Sequence, residues 1–498
     1  MKIVITDRFG KPSPNDKDVI YLTWDGWNDF NFYTLFGMFY VDESSQNYEI
    51  GTVKIGFFGQ EEGPKDLKIG GRFDRLDDKY FSLGQSDLYY SNLNELGEEV
   101  RDNILSALND IAKNEELYER AIEEKVTYTS LLRNISASTV KNQYRRIANG
   151  GVRLTEYDFH FVAPSMREGA SSFDLRFRVK PESFPPTNIH ILIGRNGVGK
   201  THLMNNMIDT LLEDEVEGKG EFILDDNESV VSNLIYVSFS AFDNTKPREE
   251  KVYNELRYSY VGLKQGRIDA GNIIIETKNL DTLIDEFYKS LNFCRTFQKP
   301  RWETSIEMLE SDPNFKEAEI KSLVDIENKE EFENRTKDIF KRLSSGHKIV
   351  LLTTTRLIQV LQEKSLVLID EPEAHLHPPL LSAFVRALSE LLISTNGVAI
   401  IATHSPVILQ EVPKCCVWKL SRSGAEAKSE RLPIETFGEN VGILTNEVFG
   451  LEVMNSGFYK LLDKVAQEKE TYGDVIEHFN GQLGMEAKAI LMTYFTKQ

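Results

Sequence analysis

The stretch that most restricts the fold is "IHILIGRNGVGKTHLMNNMIDTLL", residues 189–212. It starts as an apolar run, passes through three glycines and continues with helical spacing. Apolar runs of this kind form strands covered on both faces, so the chain must build a parallel sheet between two layers. The turn "GRNGVGKT" fits the spacing GxxxxGK[ST]. Its glycines let the backbone curl so that successive N–H groups face a pyrophosphate, and the following helix adds its positive end. Gly194, Arg195, Asn196, Gly197, Val198, Gly199, Lys200 and Thr201 are therefore predicted to cradle ATP. Lys200 would reach the β- and γ-phosphates, and Thr201 would hold Mg²⁺. The plainer alternative is a glycine-rich turn.

Two further apolar runs end in chemistry-bearing residues. "SLVLIDEPEAHLHP" carries Asp370 and Glu371 at a strand end, where two acids are rare unless something binds them. Asp370 suits Mg²⁺, and Glu371 suits the general base that polarises an attacking water. "GVAIIATHSP" ends on His404, 33 residues after Glu371. His375 and His377 have no third ligand at a known metal spacing and are read as loop residues. "RLSSGHK", residues 342–348, looks by itself like a polar hinge. Yet it lies directly before the helical pattern "IVLLTTTRLIQVLQ", with Gly346 24 residues ahead of Asp370. Ser344, Ser345 and Gly346 would then stand at a helix N-terminus, whose free N–H groups and dipole suit an anion.

Taken together, "GRNGVGKT", "LSSGHK", "LVLIDEPEAHLHP" and "ATHSP" resemble the motifs of ABC-type ATPases of the RecF, SMC and OLD group. The resemblance implies an α/β ATPase head: a mixed, parallel-core sheet with helices on both faces. It also implies that Ser344, Ser345 and Gly346 contact the γ-phosphate bound by another subunit, in a homodimer or higher oligomer. His404 resembles the switch histidine of that group. The layout also resembles the PtuA family, the ATPase subunits of the Septu antiphage system, which implies a regulatory role beside a separate HNH-type nuclease. Three features depart from the pattern. His347 replaces the signature glutamine. No clear lid glutamine follows "YVSFSAFD", where Ser240 or Asp243 stands and Gln265 is a distant candidate. Only 88 residues follow Gln410, without an acidic cluster of Toprim type.

Segment by segment, residues 1–150 read as strands followed by helices, and 151–245 as the lobe carrying the phosphate loop. Residues 246–341 read as a helical insertion, 342–410 as the signature, acid pair and histidine, and 411–498 as a helical C-terminal region. In the first segment, Leu93, Leu96, Val100, Ile104, Leu108 and Ile111 mark one helix face, and Tyr89 and Tyr90 read as core. The net charge of −20 repels nucleic acid on average. Direct DNA contact therefore needs a local patch. Residues 125–154 lack Asp and Glu and carry Lys125, Arg133, Lys141, Arg145, Arg146 and Arg153, so they are a candidate for phosphate-backbone contact, against the plainer alternatives of a solvated helix or a docking surface for an acidic partner. Nothing in the sequence predicts a membrane span, and Cys294, Cys415 and Cys416 read as free thiols of a reducing cytoplasm. The competing function is a RecF-like repair ATPase that binds DNA itself; a transporter subunit ranks last.

Overall fold

A computed structural model of the chain describes residues 1–6, 16–63, 69, 71–151, 154, 156–167, 169–213, 218–224, 231–239, 248–253, 256–269, 272–454 and 457–496. At its centre lies an eight-stranded sheet. Six strands run parallel in the spatial order Leu256–Gly262, Asn233–Ser238, Ser365–Asp370, Val398–Thr403, Ile189–Gly194 and Val417–Ser423. Antiparallel strands close the two edges, Val252–Tyr253 on one side and Glu426–Glu430 on the other. Every residue of the four middle strands is buried, which explains their unbroken apolar runs.

Both faces of this sheet are covered, as the apolar runs require. One face packs on the helices Leu280–Phe297, Lys299–Leu309, Ser345–Val360 and Pro378–Thr395. The other packs on the helix Lys200–Leu212 and on a three-stranded antiparallel sheet, Tyr157–Val162, Asp174–Val179 and Glu221–Leu224. This second face thus carries strands as well as a helix.

Three expectations need correction. Residues 246–341 are not helical throughout. Leu256–Gly262 belongs to the central sheet, and Lys264–Asp269 and Asn272–Thr277 form a hairpin before the helices begin at Leu280. Charge in the sequence hid the strand alternation there. In residues 411–498 a short 3₁₀ turn, Lys414–Cys416, leads into two strands of the central sheet, and α-helices begin only at Val441. The periodic run 93–111 is not one helix, because Gly97, at φ +95°, separates Asp87–Glu95 from Glu98–Ala107. Glycine adopts that conformation without the penalty a Cβ brings.

The N-terminal strands form a separate six-stranded sheet with its own core, in which Tyr89 and Tyr90 are fully buried. Among the described residues, every basic side chain of the segment that follows is ion-paired. Lys125 pairs with Glu62, Arg133 with Asp29, Lys141 with Glu119, Arg145 with Glu115 and Arg146 with Glu363; Arg153 lies outside the described residues. Part of the segment docks on the head itself. The Gln362 side chain accepts from Ser136 N–H at 3.2 Å and Thr139 Oγ1 at 3.0 Å, and donates to Asn134 O at 3.0 Å. These bonds anchor the N-terminal region to the loop that enters the Asp370 strand. Cys294, Cys415 and Cys416 are free thiols. Among the described residues, no helix is long and apolar enough to cross a membrane.

Candidate nucleotide site

The strand order brings three strand ends side by side. Ile189–Gly194 runs into the phosphate loop, Val398–Thr403 into His404, and Ser365–Asp370 into the acid pair. Parallel strands carry their C-terminal ends to the same edge, so residues about 200 positions apart meet there. In the loop, Gly197 and Gly199 take φ of +79° and +100°, and the helix begins at Lys200. The backbone thus turns its first-turn N–H groups outward, as an anion cradle requires.

Lys200 is only 5% exposed. Its Nζ donates to the carbonyls of Gly194 at 3.0 Å and Arg195 at 3.3 Å, and lies 2.8 Å from His404 Nε2. Burial lowers the ammonium to about 8, against the opposing pull of Glu371, Asp370 and Glu373. A cation held in this way gains strongly from an incoming phosphate. The Thr201 hydroxyl donates to Asp370 Oδ2 at 2.8 Å. An all-oxygen pair this close suits Mg²⁺, a hard cation that prefers a few oxygen ligands and the substrate's phosphates.

Glu371 sits at φ +48°, in the left-handed region, and its N–H donates to Ala402 O at 2.9 Å. For a non-glycine residue this strain costs about 1–3 kcal/mol, and it recurs where a side chain must be aimed. The carboxylate lies 3.1 Å from His404 Nε2 and is 37% exposed, so it faces the opening of the site. His404 therefore stands between Lys200 and Glu371.

Sequence reasoning missed Glu373. Pro372 starts a short 3₁₀ turn, Pro372–His375, that swings Glu373 back toward the neighbouring strand. Its Oε1 accepts from Thr403 Oγ1 at 2.7 Å and from His404 N–H at 2.6 Å. The clue was present in "DEPE", where a third acid follows the pair.

Ser344, Ser345 and Gly346 are not part of this cluster. Among the described residues, no hydrogen bond joins them to the phosphate loop. Ser344 caps the helix Ser345–Val360, and both serines are exposed. Gly346 packs on the carbonyl of His375, and a Cβ there would lie 2.6 Å from that oxygen. His347 is buried and bridges Ser344 and Asp312. His375 bonds Phe239 O and His377 pairs with Asp312, and no group of metal-binding side chains occurs among the described residues. Gln265 is in a hairpin, bonded to Glu276, while Ser240 and Asp243 lie outside the described residues.

Residues 303–410 match a family model described as "AAA domain, putative AbiEii toxin, Type IV TA system". Protein ea59 of Escherichia phage lambda is 40% identical over 521 residues, spanning 99% of this chain and 97% of that protein. The chain belongs to the ea59 family. Solved structures similar to it include an inward-facing putative metal-chelate type ABC transporter, at 13% identity and TM-score 0.31, covering 59% of this chain and 90% of that one. CbiO1 of Clostridium perfringens, part of an ABC transporter complex, is 14% identical with TM-score 0.31, covering 65% of this chain and all of that one. By its phosphate-loop motif and its parallel-core sheet covered on both faces, this ea59-family member has the α/β head of a P-loop ATPase.

Proposed function

We propose that this ea59-family ATPase is an ATP-gated dimer that regulates a separate HNH-type nuclease in a Septu-like antiviral complex. The observation that carries the dimer is a division within the chain. Lys200, Thr201, Asp370, Glu371 and His404 converge, while Ser344 and Ser345 are exposed and, among the described residues, make no hydrogen bond to them. A site with an outward-facing signature is completed by a second copy.

The residues then take these roles. Lys200 and the loop N–H groups hold the β- and γ-phosphates. Thr201 and Asp370 hold Mg²⁺, which when bound neutralises charge on the phosphates. Glu371 accepts a proton from the attacking water. His404, steadied by Glu373, orients Glu371 and meets the γ-phosphate. Ser344, Ser345 and Gly346 of the second copy close the site with helix N–H groups.

Two features support a nuclease in trans. Among the described residues no metal-binding cluster of nuclease type occurs. The C-terminal helices Gly457–Glu468, Tyr472–His478 and Met485–Thr496 form a small core of their own that buries Leu462 and Val465. Phe458 and Leu461, 47% and 52% exposed, remain on the outside, and we assign this surface to the partner. The pairing of the basic residues at 125–146 weighs against direct DNA binding.

The test is purification with co-expressed gene neighbours, followed by mass measurement with and without ATP. The expected result is an ATP-dependent doubling and a retained nuclease that is lost when residues 457–498 are deleted. ATP binding without any dimer, or a partner-free chain that binds DNA with a salt-steep affinity, would overturn it.

A further inference from the structure

The substitution of His347 for the signature glutamine has a structural counterpart in the helical insertion. We propose that Asp312 and His347 position the Ser344 hydroxyl, and that His347 takes up a proton when Ser344 engages a phosphate in the shared site. This rests on the dimeric reading above.

Asp312 caps the short helix Pro313–Glu317 of the insertion, far in sequence from the signature. Its Oδ1 lies 3.1 Å from His347 Nε2, and His347 Nδ1 lies 2.6 Å from Ser344 Oγ. Asp312 and His347 are both buried, at 6% exposure each. Burial tends to raise the Asp312 carboxyl, but His347 and the Asn314 N–H hold it below its ordinary value. It is therefore an ionised acceptor, and it draws the imidazole proton to Nε2.

The consequence for Ser344 follows from proton counting. With Nε2 protonated and His347 neutral, Nδ1 is bare and accepts the Ser344 O–H. Only lone pairs then face outward, and these repel a phosphate oxygen. A proton from solvent on Nδ1 reverses the bond: Nδ1–H donates to Ser344 Oγ, and the hydroxyl is free to donate to the phosphate. The imidazolium also brings a positive charge to the helix end.

The surroundings admit this proton. Ser344 and His347 open on a cavity of about 590 Å³. Glu317, Glu319 and Asp338 line it against Arg335 and Arg342, so acids outnumber bases. His377 lies 3.4 Å from Asp312 Oδ2, with its ring 6.3 Å from that of His347. The insertion thus touches the signature through the Asp312 carboxylate and through the ring of Phe315, 5.1 Å from that of His347.

The test uses the full chain carrying Glu371→Gln, which slows hydrolysis. ATP-driven dimer affinity is measured by sedimentation from pH 6 to 8.5. The expected affinity rises as pH falls, by up to about tenfold per pH unit for each site. Adding His347→Gln, whose amide still bonds both neighbours but takes up no proton, should flatten that dependence. Asp312→Asn should move it to lower pH. Lys200 and the nucleotide titrate equally in all three and cancel in the comparison. A pH dependence as steep in His347→Gln as in the parent overturns the proposal alone. ATP binding with no dimer at any pH overturns the shared-site reading and the proposal with it. If His347→Gln fails to fold, proton uptake by the parent on ATP addition, by calorimetry in two buffers, decides instead: no uptake refutes it.

Discussion

Glu373→Ala removes the acceptor that anchors His404. Oε1 takes two hydrogen bonds, from Thr403 Oγ1 and His404 N–H, at 2.7 and 2.6 Å. Hydrogen bonds to a charged acceptor are worth about 1.5–3 kcal/mol each, so losing both costs about 3–6 kcal/mol. Glu373 is half-buried, so water recovers part of this, and about 3 kcal/mol is the expected loss. If half of it appears in the transition state, turnover falls about tenfold. Single-turnover hydrolysis and thermal unfolding measure the two effects. Glu373→Gln separates geometry from charge, because its amide oxygen still accepts while the negative charge is gone. That variant should lose less stability than Glu373→Ala, because neutral acceptors still make weaker bonds, and it should bind ATP more weakly near pH 8, since Glu373 helps keep Lys200 charged. Turnover of Glu373→Ala within twofold of the parent, with an unchanged unfolding temperature, would refute the anchoring role.

Two further outcomes follow from the same geometry. Lys200 titrates near 8 in the free chain and is raised by bound phosphate, so binding above pH 8 takes up a proton. The Lys200 contribution to ATP affinity should be level below pH 8 and fall about tenfold per unit above it, as calorimetry would detect; an affinity that stays level from about pH 8 to 9.5 would refute this. Gly346→Ala places a Cβ 2.6 Å from the His375 carbonyl, a backbone atom with little room to move. Overpacking of this kind costs about 1–3 kcal/mol, and the ATP-driven dimer should be lost in sedimentation; a dimer of parental affinity would refute the role of this contact.

Much of the head was legible because local chemistry dictated it. "IHILIG", "SLVLID" and "VAIIAT" could only be doubly covered strands, and their parallel order brings Lys200, Asp370, Glu371 and His404 to one edge. The glycines of "GRNGVGKT" announced the loop by themselves, since left-handed backbone needs them. The strand Leu256–Gly262, the hairpin Lys264–Asp269 and Asn272–Thr277, and the strands Val417–Ser423 and Glu426–Glu430 were hidden, because charged residues in and around them read as helix or loop. Only the tertiary structure decided that part of the basic segment docks on the head, since contacts such as Arg146–Glu363 and Thr139–Gln362 span more than 200 positions. It also decided that Glu373 serves His404 and that Asp312 reaches His347. Such contacts depend on where a turn of one element meets the end of another, and a linear pattern carries no record of that distance.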